Sequence, residues 1–239
     1  MSRYDSFAPF YDHVVGDRDG VARLLVRLIR RYNPKARDVL ELGCGSGSML
    51  RLLTRHFNVV GIDNSKGMLS IARTKASKAR LVLGDITRFH LPERFDAVLC
   101  PFDTINHVTS FAAWKRVFAN AHKHLRPNGV FIFDVNTERK MEDYRADPVT
   151  ADVEADVVSM VQVERTRRYH YHVILKIFRR LRGETFKLDQ MVLPELVVPT
   201  EKILRELGKY FRTVTLVDAD RRRPTAMTEE LYFVCRNPR

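Results

Sequence analysis

The stretch VLELGCGSG at 39–47 sets Gly43, Gly45 and Gly47 at every second position, behind an apolar run that carries Glu41. Glycine has no Cβ, so a turn built from it lets a bound molecule lie against main chain. Asp63 follows twenty residues after Gly43. A carboxylate there can accept hydrogen bonds from both hydroxyls of a ribose, so loop and acid together point to a ligand with an adenosine-like part. A dinucleotide asks for GxGxxG, whose third glycine would fall at Ser48. That mismatch weakens the dinucleotide reading without closing it. Asp63 could instead cap the helix behind it, a role equally open to Asn64 or Ser65. The three cysteines, Cys44, Cys100 and Cys235, are odd in number and lack CxxC spacing. Neither a disulfide framework nor a zinc site is expected.

Several elements must position these groups. Residues 21–31, VARLLVRLIRR, place Val21, Leu24, Leu25, Leu28 and Ile29 on one helical stripe, which Asn33 and Pro34 stop. Strands are expected at 39–43, 58–63, 79–85, 95–100 and 129–135, with helices at 48–57, 65–78 and 110–124 between them. Such alternation implies a parallel sheet with helices on both faces. The pattern changes after Asn136. In YHYHVILKIF, 169–178, apolar and polar residues mostly alternate, as in a half-exposed strand. Similar segments near 155–165 and 184–193, with Gly183 at a turn, suggest a three-stranded antiparallel insertion. Thr200 then caps a helix carrying Ile203, Leu204 and Leu207, and strands at 212–218 and 230–236 finish the chain.

The chain resembles the class I S-adenosylmethionine-dependent methyltransferases, in motifs that follow the family's order over most of residues 37–136. ELGCGSG (41–47) resembles the acid-and-glycine loop and GIDNSKGML (61–69) the second-strand motif with its ribose acid. LVLGDITRF (81–89), FDAVLCPFDTINHV (95–108) and LRPNGVFIFDV (125–135) resemble the third, fourth and fifth. The resemblance implies an α/β fold with a Rossmann-like doubly wound seven-stranded sheet. Its order is 3-2-1-4-5-7-6 with strand 7 antiparallel, and a small antiparallel β insertion is added. Residues 1–150 and 195–239 would form the methyltransferase domain and 151–194 the insertion, a lid that could also offer a dimer surface.

S-adenosyl-L-methionine is then the implied cofactor. Gly43, Cys44, Gly45 and, further along, Gly47 would receive its methionine end. Glu41 would organise loop amides or the amino group, or simply answer the following helix N-terminus. Asp63 and Asn64 would lie at the ribose, Met68 on the adenine face or in the core. Asp85 would meet the adenine amino group and Ile86 offer a backbone amide to the ring. Cys100 and Phe102 would border the sulfonium. No nucleophile is needed for methyl transfer, so Cys100 is not read as one. The protein mainly aligns, excludes water and accepts a proton, because an amine must be neutral to attack. His107, shortly after strand four, is the expected acceptor. Tyr11 in FAPFYDHV is the other candidate, on a segment that resembles one folding over the cofactor in small-molecule N-methyltransferases. His13 is a weaker one.

Substrate class is less sharply written. Enzymes acting on base or glutamine amines often carry an Asn/Asp-Pro-Pro-Tyr/Phe run after strand four, and only Pro101 and Phe102 echo it. The β-rich insertion resembles the lid of amino-sugar methyltransferases. His170, Tyr171 and His172 face substrate or cross a solvated sheet. The formal charge is +12. A solvated basic face explains that; a phosphorylated or nucleotide-linked small molecule would also suit it, and RNA or protein methylation is the alternative. No apolar run reaches membrane-spanning length and no signal-peptide stretch opens the chain, so a cytoplasmic protein is expected.

Overall fold

The computed structural model describes residues 8, 18–147, 150–154, 156–218 and 223–239. Tyr11 and His13 fall outside them, as do Arg221 and Arg222 of a run of arginines at 221–223. Helix α1 (Asp19–Tyr32) buries Leu24, Leu25, Leu28 and Ile29, the stripe read from sequence. It leads into β1 (Asp38–Leu42), which pairs in parallel with β2 (Asn58–Asp63) on one side and β4 (Phe95–Cys100) on the other. β3 (Arg80–Leu83) extends the sheet beyond β2, and β5 (Leu125–Asn136) beyond β4. β11 (Glu230–Pro238) runs antiparallel to β5, and β10 (Phe211–Asp218) closes the edge. The order β3-β2-β1-β4-β5-β11-β10 is the one expected from the resemblance, with the last strand in sequence antiparallel.

Both faces of this sheet are covered, so its central strands are apolar throughout rather than alternating. In β1, Val39 joins the layer packed under α1 and α2 (Ser48–Leu53). Leu40 and Leu42 join the opposite layer with Trp114 and Phe118 of α4 (Phe111–Lys123). Glu41 shares the Val39 face by the two-residue period of a strand, which places a carboxyl group inside an apolar layer. Ser65 caps α3 (Lys66–Lys75), its hydroxyl accepting from the Met68 N–H at 3.1 Å.

Some expectations are corrected. α2 stops at Leu53 rather than running to 57, because the chain turns at Thr54 toward β2. A second sheet holds four antiparallel strands rather than three: β6 (Thr150–Glu154), β7 (Val157–Arg167), β8 (His170–Arg182) and β9 (Thr185–Leu196). β6 is too short to show a period. Helix α5 (Glu138–Ala146) was not expected; it buries only Met141 and therefore carries no apolar stripe. In α6 (Thr200–Leu207), Pro199 occupies the cap position and Thr200 is already helical. No helix among the described residues is long and apolar enough to cross a membrane.

Candidate functional site

A crevice opens at the carboxyl ends of β1, β2 and β4. Its walls include Gly43, Gly45, Asp63, Asn64, Met68, Asp85, Ile86, Phe102 and His107, all named from sequence. Gly84, Thr104 and Val108 also line it and were not foreseen. The glycine loop holds its shape through positive φ at Gly43 (70°), Gly45 (53°) and Gly47 (79°). L-residues with a Cβ rarely adopt that region. A Cβ at Gly43 would stand 2.3 Å from the Thr104 Cγ2, so bare backbone is required where the loop meets the β4 exit. Gly47 answers a different demand. Its Cβ would come within 2.9 Å of the Ala72 Cβ, so this glycine lets α2 and α3 approach and is no part of the crevice wall.

Asp63 ties the loop to the second strand. Its Oδ2 accepts from the Gly45 N–H at 2.8 Å and its Oδ1 from the Ser65 N–H at 2.8 Å. Ser65 performs the helix capping, so Asp63 is not the cap. Asp85 accepts from the Thr87 N–H at 2.8 Å and from the Arg88 guanidinium at 3.0 Å. Burial works to raise its pKa, but those donors outweigh it and hold the carboxyl below its usual range.

Other expected residues lie behind the wall. The Cys44 side chain packs beside Gly61 in the α1–α2 layer and does not line the crevice. Cys100 is fully buried in the layer that contains Leu42, Ile62 and Phe133. Burial pushes both thiols well up, so neither is a nucleophile. Glu41 lies beneath the loop, 1% exposed, with Oε2 lacking a hydrogen-bond partner. Burial drives its pKa to about 8, against the attraction of Arg18. Arg18, itself buried, stacks its guanidinium 4.2 Å from the Phe102 ring centroid.

The exit from β4 is strained. Phe102 and Asp103 have φ of 58° and 46°, consecutive left-handed residues without glycine. Such backbone costs about 1–3 kcal/mol per residue and gathers at functional sites. Here the turn directs the Asp103 N–H to Asp134 Oδ2 at 2.8 Å. It then leads into a 3-10 turn, Thr104–His107, that sets His107 in the crevice wall. His107 Nε2 lies 3.6 Å from Asp103 Oδ2, and Nδ1 lies 4.0 Å from Glu195 Oε1 of β9. Burial lowers the His107 pKa, although Asp103 pulls it back. Asp103, His107 and Glu195 offer ligand atoms within 4.8 Å of one another. Asp103 and Glu195 escaped the sequence reading, though Glu195 had a signal: it stands alone in the apolar run MVLPELVVP.

The second sheet behaves differently from the expectation for its aromatic run. Tyr171 is fully buried and donates to Glu142 of α5 at 2.9 Å, so it faces neither crevice nor solvent. His170 lies instead beside Arg167, Arg168 and Lys202 in a separate depression. Residues 165–182 form a basic stretch, and several of its arginines are matched by acids: Arg165 with Glu142, Arg179 with Asp189 and Arg180 with Asp156, at 3.5, 2.6 and 3.1 Å.

Residues 39–129 match the family described as a methyltransferase domain. The dTDP-3-amino-3,6-dideoxy-alpha-D-glucopyranose N,N-dimethyltransferase of Streptomyces fradiae is 38% identical over 111 residues, 46% of this chain and 44% of that protein. The match thus spans less than half of that relative. The putative methyltransferase YqeM of Bacillus subtilis (strain 168) is 27% identical over 96% of this chain and 95% of its own. A crystal structure of a S-adenosylmethionine-dependent methyltransferase from Clostridium acetobutylicum ATCC 824 superposes with a TM-score of 0.85. It covers 98% of this chain and 99% of that one at 24% identity, a likeness of fold.

Proposed function

We propose that this chain, which carries a methyltransferase domain at residues 39–129 on the class I S-adenosylmethionine-dependent fold, transfers a methyl group to nitrogen or oxygen of a small molecule. The observation that carries the reading is the crevice at the carboxyl ends of β1, β2 and β4, lined by Gly43, Gly45 and Asp63. The residues present fit S-adenosylmethionine. Gly43 and Gly45 leave main chain open to it, Met68 and Ile86 give apolar walls, and Asp63 is the ribose acceptor. Asp85 and Asn64 serve the adenosine end. Glu41 lies beneath the glycine loop, behind the crevice wall, and would organise the main chain that receives the methionine end of the cofactor.

When bound, the cofactor supplies a methyl group on a positively charged sulfur, already activated toward a lone pair. The chain must then orient the acceptor, keep water out and remove a proton where the acceptor carries one. Phe102 forms the wall on the reacting side. His107 is the expected proton acceptor, since its lowered pKa leaves the ring neutral near pH 7. Tyr11 keeps its proposed role from sequence and lies outside the described residues. Cys44 and Cys100 contribute packing.

Amino-sugar relatives favour a sugar-like amine as acceptor. Residues 1–150 and 195–239 would hold the cofactor, and 151–194 would act as lid and as a surface for a homodimer. The net charge of +12 suits an anionic portion on the substrate. RNA methylation is less favoured, since acids of the second sheet and α5 match part of its basic stretch. Three free, buried cysteines accord with a cytoplasmic location. Incubation with methyl-labelled cofactor and fractionated extract tests the reading. Label is expected in the small-molecule fraction, and label confined to RNA or protein would refute it.

A further inference from the structure

Four carboxyl groups gather behind His107: Asp103 on the β4 exit, Asp134 on β5, Glu195 on β9 and Glu230 on β11. The groups opposing them are few. Lys140 of α5 is held by Glu230 at 2.6 Å, and the lowered pKa of His107 leaves it uncharged at neutral pH. Tyr232 of β11 faces the same acids as a neutral phenol. Burial raises Asp103, Asp134 and Glu195, and Asp103 and Glu195 share a hydrogen bond.

A second observation gives the missing chemistry a sign. Asp134 Oδ1 and Asn136 Oδ1 are buried acceptors without a hydrogen-bond partner, in residues 2% and 6% exposed. Asn136 directs its Nδ2 to Asp103 Oδ2 at 3.0 Å and to Glu195 Oε2 at 3.2 Å. It therefore spans the two acids and keeps an acceptor over. Among the described residues, and apart from Lys140, which Glu230 holds, this cluster lacks N–H donors bearing positive charge. Access is graded: the Asp103 and His107 side chains are 29% and 24% exposed, and that of Glu195 only 3%. His107 belongs to the crevice wall, so a cationic head in the crevice comes up against His107 and the part-exposed Asp103 beside it, with Glu195 directly behind.

We propose that Asp103, Glu195 and Asn136 form the receptor for the ammonium group of the methyl acceptor, and that they hold it beside His107, which takes the proton its nitrogen must lose. This rests on the methyltransferase reading and narrows its acceptor to an aliphatic amine. The second sheet supplies the innermost acid, so acceptor choice is divided between the two sheets. On binding, the ammonium displaces the proton shared by the acids, which leaves for water. One N–H bond then breaks; its proton goes to a ring nitrogen of His107 and its electron pair stays on nitrogen. That pair forms the new N–C bond while the C–S bond of the sulfonium breaks, its electrons remaining on sulfur. The methylated nitrogen is again cationic, and His107 passes the transferred proton on to water.

The test uses the full chain saturated with S-adenosylhomocysteine, titrated calorimetrically with cyclohexylamine and with cyclohexanol, which differ only in the polar group. The amine is expected to bind at least tenfold more tightly and to release close to one proton near pH 7, read from two buffers of different ionisation heat. Glu195→Gln and, separately, Asp103→Asn should each weaken the amine at least tenfold and abolish proton release, leaving cyclohexanol and S-adenosylhomocysteine unchanged. Either variant alone suffices if the other does not fold. Equal binding of amine and alcohol, or an amine unaffected by both variants, overturns the receptor. So does micromolar binding of manganese chloride alone that Glu195→Gln removes, which would make the cluster a metal site. Loss of affinity for S-adenosylmethionine but not for S-adenosylhomocysteine in Glu195→Gln, with the amine unchanged, would assign the acids to the sulfonium instead. Failure of S-adenosylhomocysteine to bind the native chain is seen before any amine is added and removes the cofactor reading itself.

Discussion

Replacing Gly43 by alanine introduces one methyl group at the most crowded point of the loop. The new Cβ would stand 2.3 Å from the Thr104 Cγ2 and 3.2 Å from its Oγ1. Carbon atoms in contact sit about 3.5–4.0 Å apart, so Thr104 must rotate or the loop must shift. Rotation breaks the bond from the Thr104 hydroxyl to the Pro101 carbonyl, 2.7 Å in the native chain. Loss of that bond costs about 0.5–1.5 kcal/mol. The left-handed backbone at φ 70° adds roughly 1–2 kcal/mol for a residue with a Cβ. The total is about 1.5–3.5 kcal/mol, or roughly 3–14 °C in melting temperature for a chain of this size. A double-mutant cycle separates the two parts. Thr104→Ala removes the clashing methyl, so in that background Gly43→Ala should cost only the backbone share. The coupling should be about 1 kcal/mol and favourable. Thermal and urea unfolding of the four proteins measure it. Additive effects within about 0.3 kcal/mol would show that the side chain of Thr104 does not oppose a Cβ at 43, and the contact argument would fail.

Asp63→Ala should weaken S-adenosylmethionine by about 1–3 kcal/mol, tenfold or more at mid-range, in calorimetry. It should also lower the melting temperature, because the Gly45 and Ser65 N–H groups lose their acceptor; unchanged affinity would discard the ribose role. His107→Ala should lower turnover at least tenfold with little change in cofactor affinity, and equal turnover would remove it as proton acceptor. Stability should fall as pH rises from about 6.5 to 8.5. Glu41 and Asp134 are each driven by burial to about 8, so the folded state keeps protons that the unfolded state has already lost. A carboxyl raised in this way contributes stability that fades between its unfolded and folded values. His107 and His124, lowered by burial, act in the opposite sense only below about 6.5. Each group loses about 1.4 kcal/mol per pH unit up to its folded value, so the pair should lose about 4 kcal/mol over that window, and a melting temperature rising with pH there would contradict it.

The parallel sheet was legible because its strands are uniformly apolar and separated by helices with clear stripes. The crevice was legible in part because bare glycines and an acid at strand ends serve few purposes besides binding. Thr104 and Val108 stayed hidden, since nothing local marks a threonine or valine as a wall. Asp103 and Glu195 are ninety-two residues apart in sequence and meet only because the second sheet packs against the β4 exit. Periodicity within one segment carries no information about such a meeting. Cys44 and Cys100 show the reverse error: they flank the right motifs, but strand and turn geometry aim their side chains into the core. α5 was missed because its polar composition supplies no face to detect.

The tight approach of Gly47 to Ala72 bears on how this chain can drift. The third glycine of the loop is bound to a position on another helix, not to anything that binds in the crevice. Related chains should therefore tolerate asparagine at 47, a residue at home in left-handed backbone, only where 72 has shrunk to glycine. The two sites would vary as a pair, and a survey of relatives could read that partnership without any ligand at all.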